Sequence, residues 1–496
     1  MTNYIGIDLG TTFSAVSFID ESGRPKILNN DRGTNITPSV VASIKGEIVV
    51  GERARRQWGN DENNAAARFK RDMGTKKNHM IGDQKFSPTE LSAAVLKKIK
   101  SDVENQVGAI SEAVITIPAN FSQEARDSTM EAGRRAGLQV KYIINEPTAA
   151  ALYYAYQSGG ELSGTYVVFD LGGGTFDVSV IKVQGQDIDV VASNGVNKLG
   201  GDDFDRCLWN IVAEKYKLET GNELTKDDFS INDAEEEKKS LSGRKRTTAE
   251  IDRDLIDLTR LEFEESISSL IAQIEMMCET TLEEANITPE DITSVFLAGG
   301  STRIPSVIDC AKKVFKQDPI SSVNVDEVVA LGAGLYAAYK SDGANLSKLQ
   351  KKSISKISLS EVTNECFGTI SIGSSEARGQ ELQNSIIIHK GEKIPCSVTE
   401  TFYTNVDGQE VIECTITESK SPETNPNFVK VIHKMEMKIP AGRPAGQPVN
   451  VTYSYDENQT MHTLFKDEVS GEELSWSFSR ANSDTEQSEI SKFLVD

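Results

Sequence analysis

The 496-residue chain is long enough for about three domains with separate cores. Its 38% hydrophobic and 26% charged residues are those of an ordinary globular protein. With 53 Lys and Arg against 75 Asp and Glu, the formal net charge of −22 repels nucleic-acid phosphates and argues against direct nucleic-acid binding, leaving solubility as its plainest meaning.

No apolar run approaches the roughly 18 residues of a membrane span, and Met1-Thr2-Asn3-Tyr4-Ile5 has no basic-then-apolar leader. The cysteines (Cys207, Cys278, Cys310, Cys366, Cys396, Cys414) are scattered, with no Cys-x-x-Cys pair and only four histidines in the chain. A zinc site or disulfide framework is therefore not expected, and a reducing cytoplasm fits best.

From residue 1 to about 340, short Val/Ile-rich runs alternate with helical patterns, the texture of α/β layers. The helical patterns include residues 87–107, 122–136, 147–157 and 264–286. Residues 341–356 are polar and read as a linker. Beyond them, β-branched runs at 385–389, 411–417 and 449–455 are separated by turn signals such as Asp407-Gly408, the texture of a β-sandwich over 357–480. Residues 481–496 form a polar tail with the apolar tip Phe493-Leu494-Val495, enough for at most a short helix.

The first part contains an internal echo. Tyr4-Ile5-Gly6-Ile7-Asp8-Leu9-Gly10-Thr11-Thr12-Phe13 returns as Val167-Val168-Phe169-Asp170-Leu171-Gly172-Gly173-Gly174-Thr175-Phe176. Each copy is an apolar strand, Asp-Leu-Gly, a small-residue turn and a second strand. Glycine lets backbone approach a phosphate, and successive turn amides form an anion nest. An Asp at the strand end can hold a hydrated Mg²⁺ against such an anion. A tight hairpin without ligand explains either loop alone. Two loops with Asp at the same offset point instead to two similar lobes, about 1–163 and 164–340, closing on one nucleotide.

Competing phosphate motifs fail. A P-loop needs Gly-Lys, and the chain has no such dipeptide. Gly332-Ala333-Gly334-Leu335-Tyr336-Ala337 matches the dinucleotide fingerprint but lies inside an Ala-rich helical pattern, where helix packing accounts for it. A third glycine site, Val295-Phe296-Leu297-Ala298-Gly299-Gly300-Ser301-Thr302-Arg303-Ile304-Pro305, runs from a strand toward a helix opened by Pro305. It is either an ordinary βα turn or a platform for a base, with Arg303 able to stack on a purine face.

These three sites, in this order and spacing, resemble the ATPase domain of the DnaK-type heat-shock chaperones of the seventy-kilodalton class. Ile144-Asn145-Glu146-Pro147-Thr148-Ala149-Ala150-Ala151, Val114-Ile115-Thr116-Ile117-Pro118-Ala119-Asn120-Phe121 and Leu199-Gly200-Gly201-Asp202-Asp203-Phe204-Asp205 are similar to further motifs of that family. The resemblance spans about 4–339. It implies an actin-like, duplicated ribonuclease H-like α/β domain over 1–340, with four subdomains around a cleft for ATP or ADP.

Carried over by position, the resemblance gives Asp8, Glu146 and Asp170 to the waters of Mg²⁺, with Asp177 nearby and available to a K⁺ ion. Gly10, Thr11 and Thr12 cradle one end of the phosphate chain, and Gly172, Gly173, Gly174 and Thr175 the other. Lys70 stands at the catalytic lysine, beside Glu146, Asp170 and Thr175, where a cation serves a reaction governed by charge and positioning. Without the resemblance, Lys70 is simply a solvated lysine. Glu235, Lys238, Ser242 and Arg303 hold the adenosine, and Gly201, Gly299, Gly300, Ser301 and Asp326 complete the nucleotide set.

The sequence also departs from the family. Tyr142 replaces an Arg that receives the linker and J-domain partner, Val325 replaces a Pro before Asp326, and Lys239 replaces a base-stacking Arg. The family's leucine-rich linker is here Ile357-Ser358-Leu359-Ser360-Glu361-Val362, whose alternation leaves one apolar face and implies altered coupling between domains. Residues 357–480 resemble the peptide-binding sandwich more faintly. Phe367, Ile372, Phe402 and Ile412 are the positions for a peptide pocket, or plain core residues. Only 16 residues follow Arg480, so the family's helical lid is expected to be missing.

The expected activity is slow ATP hydrolysis coupled to binding of unfolded or nascent polypeptides. J-domain and nucleotide-exchange partners follow from the resemblance, and the ribosome is a further candidate. Two other readings stand beside it: a regulatory, ribosome-associated type of partner that binds ATP without needing hydrolysis, and a sugar kinase of the same superfamily. Retention of Lys70 and its carboxylates favours hydrolysis. The breadth of the match disfavours the kinase.

Overall fold

The computed structural model describes residues 3–185, 187–320, 324–344, 346–355, 357–375, 379–457 and 460–477, so the tail expected at 481–496 lies outside the described residues. The chain divides into one compact unit up to Leu359 and a second beginning at Ser360. All six cysteines are unpaired thiols. Among the described residues, no helix is long and apolar enough to cross a membrane.

The first unit is built twice on one plan. In its first lobe the strands run Gln139–Asn145, Ile110–Ile117, Asn3–Asp8, Phe13–Ile19, Pro25–Leu28 across the sheet. The first three are mutually parallel and the last two antiparallel to their neighbours. The second lobe repeats this order with Pro319–Ile320, Ile292–Ala298, Ser163–Leu171, Phe176–Gln184 and Asp187–Val196. The echo read in the sequence is therefore the central parallel strand and its hairpin partner in each lobe.

Each outer parallel strand leads into a helix, Glu146–Gln157 after the first lobe's and Val328–Lys340 after the second's, and the latter packs on the first lobe's strands. The two helices cross in direct contact. A Cβ on Gly332 would sit 1.7 Å from the Ala149 carbonyl oxygen, so only glycine permits this approach. The dinucleotide-like Gly332-Ala333-Gly334 run is thus a helix-packing surface. Tyr154 fastens the crossing to the second lobe: its ring stacks on Phe296 at 4.2 Å, and its hydroxyl donates to the Leu297 carbonyl at 2.8 Å.

The helices follow from local signals. Pro88–Val107 starts at Ser87, which forms a capping box with Glu90, and Gln123–Arg135 is capped by Ser122. Pro305 opens Pro305–Phe315. The helix expected over 264–286 is instead two, Arg260–Ser266 and Ser268–Ala285, broken at Ile267, whose side chain is fully buried. The polar stretch 341–356 also differs from expectation. It carries a short helix, Lys348–Ile354, nucleated by a capping box between Ser347 and Gln350.

The second unit is an antiparallel sandwich. One sheet orders Gly379–Ile388, Cys366–Ser375, Val411–Ser419 and Lys430–Lys438; the other orders Cys396–Tyr403, Pro448–Tyr455, Met461–Asp467 and Glu473–Ser477. Strict alternation of burial along Pro448–Tyr455 and Met461–Asp467 sends Val449, Val451, Tyr453, Met461 and Phe465 inward. Tyr453 places its hydroxyl on the Gly368 carbonyl at 2.8 Å, joining the two sheets. The entering strand Ser358–Val362 does not bury alternate residues as its sequence predicts. Burial increases along it, from exposed Ser358 to buried Glu361 and Val362, which pair with Ile394 and Lys393.

A charged contact, Arg443 with Asp467, lies inside this sandwich. Asp467 is fully buried and accepts from Arg443 at 3.1 and 2.5 Å, with further donors from Ser470 Oγ and the Val469 amide. Burial opposes ionisation, but these donors prevail and push its carboxyl down to about 2. The pair's stabilisation is therefore full above the ordinary carboxylate range and lost as pH falls toward 2. Arg443→Met strands a buried carboxylate and is expected to cost ~3–5 kcal/mol at pH 7. Urea unfolding at pH 7 and pH 3 measures it; a loss equally large at both pH values would contradict the ionic origin.

Candidate functional site

The first unit's two hairpin turns face each other across a cleft of about 350 Å³. The Gly10-Thr11-Thr12 turn is held by Ser39, whose amide donates to the Thr12 carbonyl and whose hydroxyl donates to the Gly10 carbonyl, both at 2.8 Å. The opposite turn, Gly172 to Gly174, is braced from behind. The amides of Gly201 and Asp202 donate to the carbonyls of Gly172 and Gly173 at 3.0 and 2.8 Å, and Ser301 Oγ donates to the Gly172 carbonyl at 2.8 Å. A Cβ on Gly173 would meet Thr12 Oγ1 at 1.8 Å, so side chains on this turn would close the cleft.

The third glycine site supplies the far wall. Gly299 has φ +80 and lies so close to the Leu171 carbonyl that a Cβ would approach it to 2.3 Å. Its amide donates to the Val325 carbonyl at 3.0 Å, and its carbonyl accepts from Thr302 Oγ1 at 2.7 Å. Gly300, Ser301, Arg303 and Asp326 join the lining. Arg303 is 56% exposed, with its guanidinium turned to Asp326 at 2.7 Å and Asn324 at 3.0 Å.

Three carboxylates and one ammonium form the cleft floor, with a fourth carboxylate behind it. Asp8 ends its strand and accepts from Thr116 Oγ1 at 3.0 Å. Asp170 occupies the matching place in the second lobe, with Thr175 beside it in the lining. Glu146 is the first residue of its helix, where the helix dipole favours an anion. Asp177 lies behind the lining, 1% exposed, and accepts from the Ala119 amide at 3.1 Å. Lys70 sits on the one-turn helix Phe69–Asp72, 4% exposed, and donates to Glu146 Oε1 at 2.5 Å.

This imbalance shifts the acids. Burial, then the charge of Glu146, raises Asp8 to about 7, and the same two causes raise Asp177 to about 8. Asp170 is driven well above the carboxylate range by burial and by Glu146, Asp177 and Asp8. Among the described residues no three His, Cys, Asp or Glu side chains converge tightly enough to grip a metal directly. A hydrated divalent cation, held through its own waters, fits the surplus carboxylates. Thr12 Oγ1, buried without a hydrogen-bond partner, fits an anion in the cradle.

At the opposite end, Lys238 bonds Asp205 Oδ1 at 2.7 Å and the Gly201 carbonyl at 3.1 Å. Ser242 Oγ donates to the Lys238 carbonyl at 3.1 Å. Glu235 is engaged twice, by Arg55 at 2.9 Å and Lys239 at 2.8 Å. Burial opposes its ionisation, but Lys239 and Arg55 outweigh it and hold the carboxyl below its ordinary range. The substituted Lys239 thus points its charge at Glu235 and Glu236. Arg55 and Ile36 belong to this site's surroundings without any sequence signal, because each reaches it only through tertiary packing, whereas Asp205 lies in the Leu199–Asp205 motif. Of the other departures, Tyr142 lies under the Lys340 ammonium at 5.1 Å, and Val325 lines the cleft.

In the sandwich, the four expected pocket residues do not share one environment. Phe367 is 2% exposed and belongs to the core, against Tyr455, whereas Ile372 is 46% exposed farther along the same strand. Phe402 and Ile412 are half-buried at the core margin. The difference between Phe367 and Ile372 has a simple cause: five residues along a pleated strand reverse the face.

Two equivalent lobes that bring glycine turns and acidic strand ends to one cleft define a two-lobed nucleotide-binding domain. A family model described as Hsp70 protein matches residues 4–81 and 77–496. The chain belongs to the Hsp70 family, whose members are ATP-binding chaperones with an actin-like two-lobed ATPase domain and which use nucleotide with Mg²⁺.

The raised acids set a pH dependence. Between about pH 4 and 8 the native state binds more protons at Asp8 and Asp177 than the unfolded chain does, so nucleotide-free stability should fall as pH rises. Scanning calorimetry from pH 5 to 8 is expected to show a declining melting temperature. Asp177→Asn should flatten that decline, and an unchanged slope would contradict the assignment.

Proposed function

We propose that the chain is an ATP-hydrolysing chaperone in which Lys70 stabilises the charge that develops as the terminal phosphoryl group leaves. The observation that carries this reading is the buried Lys70–Glu146 contact, set with Asp8 and Asp170 in the cleft where both glycine turns meet. In this reading Gly10, Thr11 and Thr12 take one end of the phosphate chain, and Gly172 to Gly174 with Thr175 the other, through turn amides and hydroxyls. Asp8, Glu146 and Asp170 hold the waters of Mg²⁺, which when bound neutralises phosphate charge, and Asp177 is available to K⁺. Glu235, Lys238, Ser242 and Arg303 receive the adenosine. Phosphoryl transfer needs little covalent help from the protein, so positioning and charge carry the rate.

The second unit binds extended, unfolded or nascent polypeptide in this reading, with J-domain and exchange-factor partners regulating the cycle. Its entry strand departs from the leucine-rich pattern at Ser358 and Ser360, which weakens coupling between peptide and nucleotide.

Single-turnover ATP hydrolysis, with and without an unfolded apolar peptide, tests the whole reading. Stimulation by peptide supports it. Tight ATP binding with no turnover in either condition would assign the chain to the regulatory class instead. Within that assay, Lys70→Ala is expected to slow hydrolysis by about 100-fold or more while ATP affinity stays within ~10-fold, because the lysine acts on transition-state rather than ground-state charge. Equal hydrolysis by variant and wild type would remove Lys70 from the mechanism.

A further inference from the structure

A second cavity, of about 820 Å³, lies between the lobes beside the first. Asp202 lines the glycine cleft and its ion-pair partner Arg68, at 2.8 Å, lines the second cavity, so this pair forms part of the partition. The walls come from residues 58–79 of the first lobe and 198–231 of the second.

Six cationic side chains face this space: Arg68, Arg71, Lys77, Lys198, Arg206 and Lys226. Only three acids face it, Glu62, Asp72 and Asp203. The chain as a whole has the opposite balance, 53 basic residues against 75 acidic, so the cavity reverses the sign of its surroundings. Each acid is already matched. Arg71 holds Asp203 at 2.5 Å, Lys77 holds Asp72 at 2.7 Å, and Lys226 reaches across the lobes to Glu62 at 2.6 Å.

Donor capacity is left over. Lys198 is exposed and forms no ion pair among the described residues. Arg206 is 57% exposed, with Asp203, already committed to Arg71, no closer than 3.6 Å. Arg71 has a side chain only 8% exposed, and its Nε is buried without a hydrogen-bond partner. Such an orphaned guanidinium donor in a polar cavity calls for an acceptor.

We infer that this cavity binds a small, multiply charged phosphorylated anion, gripped by Arg71 and Arg206 from opposite lobes with Lys198 as a third charge. Guanidinium forks match phosphate oxygens in geometry as well as charge. The volume is that of a small-molecule pocket rather than a protein docking face. The inference rests on the cavity alone and does not require the chain to hydrolyse ATP.

Trp58 and Trp209 also line the cavity, leaving only Trp476 elsewhere. The Arg68 guanidinium covers the Trp58 ring at 4.8 Å, and Trp209 Nε1 donates to the Phe229 carbonyl at 2.7 Å. Intrinsic fluorescence therefore reports occupancy.

The test titrates inorganic tripolyphosphate into the full chain at low salt, with the wild type and the double variant Lys198→Glu/Arg206→Glu. Both substituted side chains are exposed and outside the glycine cleft. The expected result is a saturable change in the wild type, weakened ~10-fold or more in the variant, while thermal melting and ADP affinity are unaltered. Absence of saturation in the wild type, or equal affinity in the two proteins, would overturn the proposal. So would tighter binding of deca-glutamate than of tripolyphosphate, which would make the basic cavity a docking face for an acidic protein segment.

Discussion

One lysine shares a buried space with four carboxylates, and the architecture of the first unit is arranged around that imbalance. Lys70 can neutralise only one of Asp8, Glu146, Asp170 and Asp177, and it bonds Glu146. Charges of one sign crowded away from water resist ionisation, which is why Asp8, Asp170 and Asp177 are all shifted upward. The arrangement makes physical sense as a receptor for positive charge that arrives with a ligand. The surrounding structure must keep the acids together when that charge is absent.

The duplicated fold supplies that constraint. Asp8 and Asp170 end equivalent central strands, and each strand returns through a glycine turn into an antiparallel partner. Symmetry of the two halves places both acids at the lobe boundary. The crossing helices then fix the distance between lobes, and their contact at Gly332 and Ala149 tolerates no added side chain. Glu146 opens one of these helices, so the element that packs the lobes also carries Lys70's partner.

Ion pairs between the lobes surround this centre. Arg55–Glu235, Arg68–Asp202, Arg71–Asp203 and Lys226–Glu62 each join the first lobe to the second. The most exposed of them, Lys226–Glu62, contributes little by itself. The more buried ones, Arg68–Asp202 and Arg71–Asp203, set register between the two lobe surfaces. They also divide the space between lobes into two chambers of opposite character, one floored with acids and the other walled with bases. Arg68 and Arg71 flank Lys70 on the same short segment, so one turn of chain faces both chambers.

The sequence by itself determined what depends on local backbone demands. Asp-Leu-Gly followed by small residues can only be a tight strand turn, and its repetition at Asp8 and Asp170 made the two lobes readable. Pro305 announced a helix start because its fixed backbone angle suits the first turn of a helix. The helix Lys348–Ile354 was hidden because a polar, lysine-rich composition is shared by linkers and by capped helices. The break at Ile267 was hidden because no glycine or proline marks it in the sequence. Period-two patterning in the sandwich revealed strands but not which apolar residue is core, so Phe367 and Ile372 looked alike until a second sheet covered one of them. Only the tertiary structure decided that Lys239 turns to Glu235, that Arg68 meets a residue 134 positions away at Asp202, and that basic residues from two lobes enclose one cavity. Those contacts depend on how the lobes close, and lobe closure leaves no periodic trace in a chain.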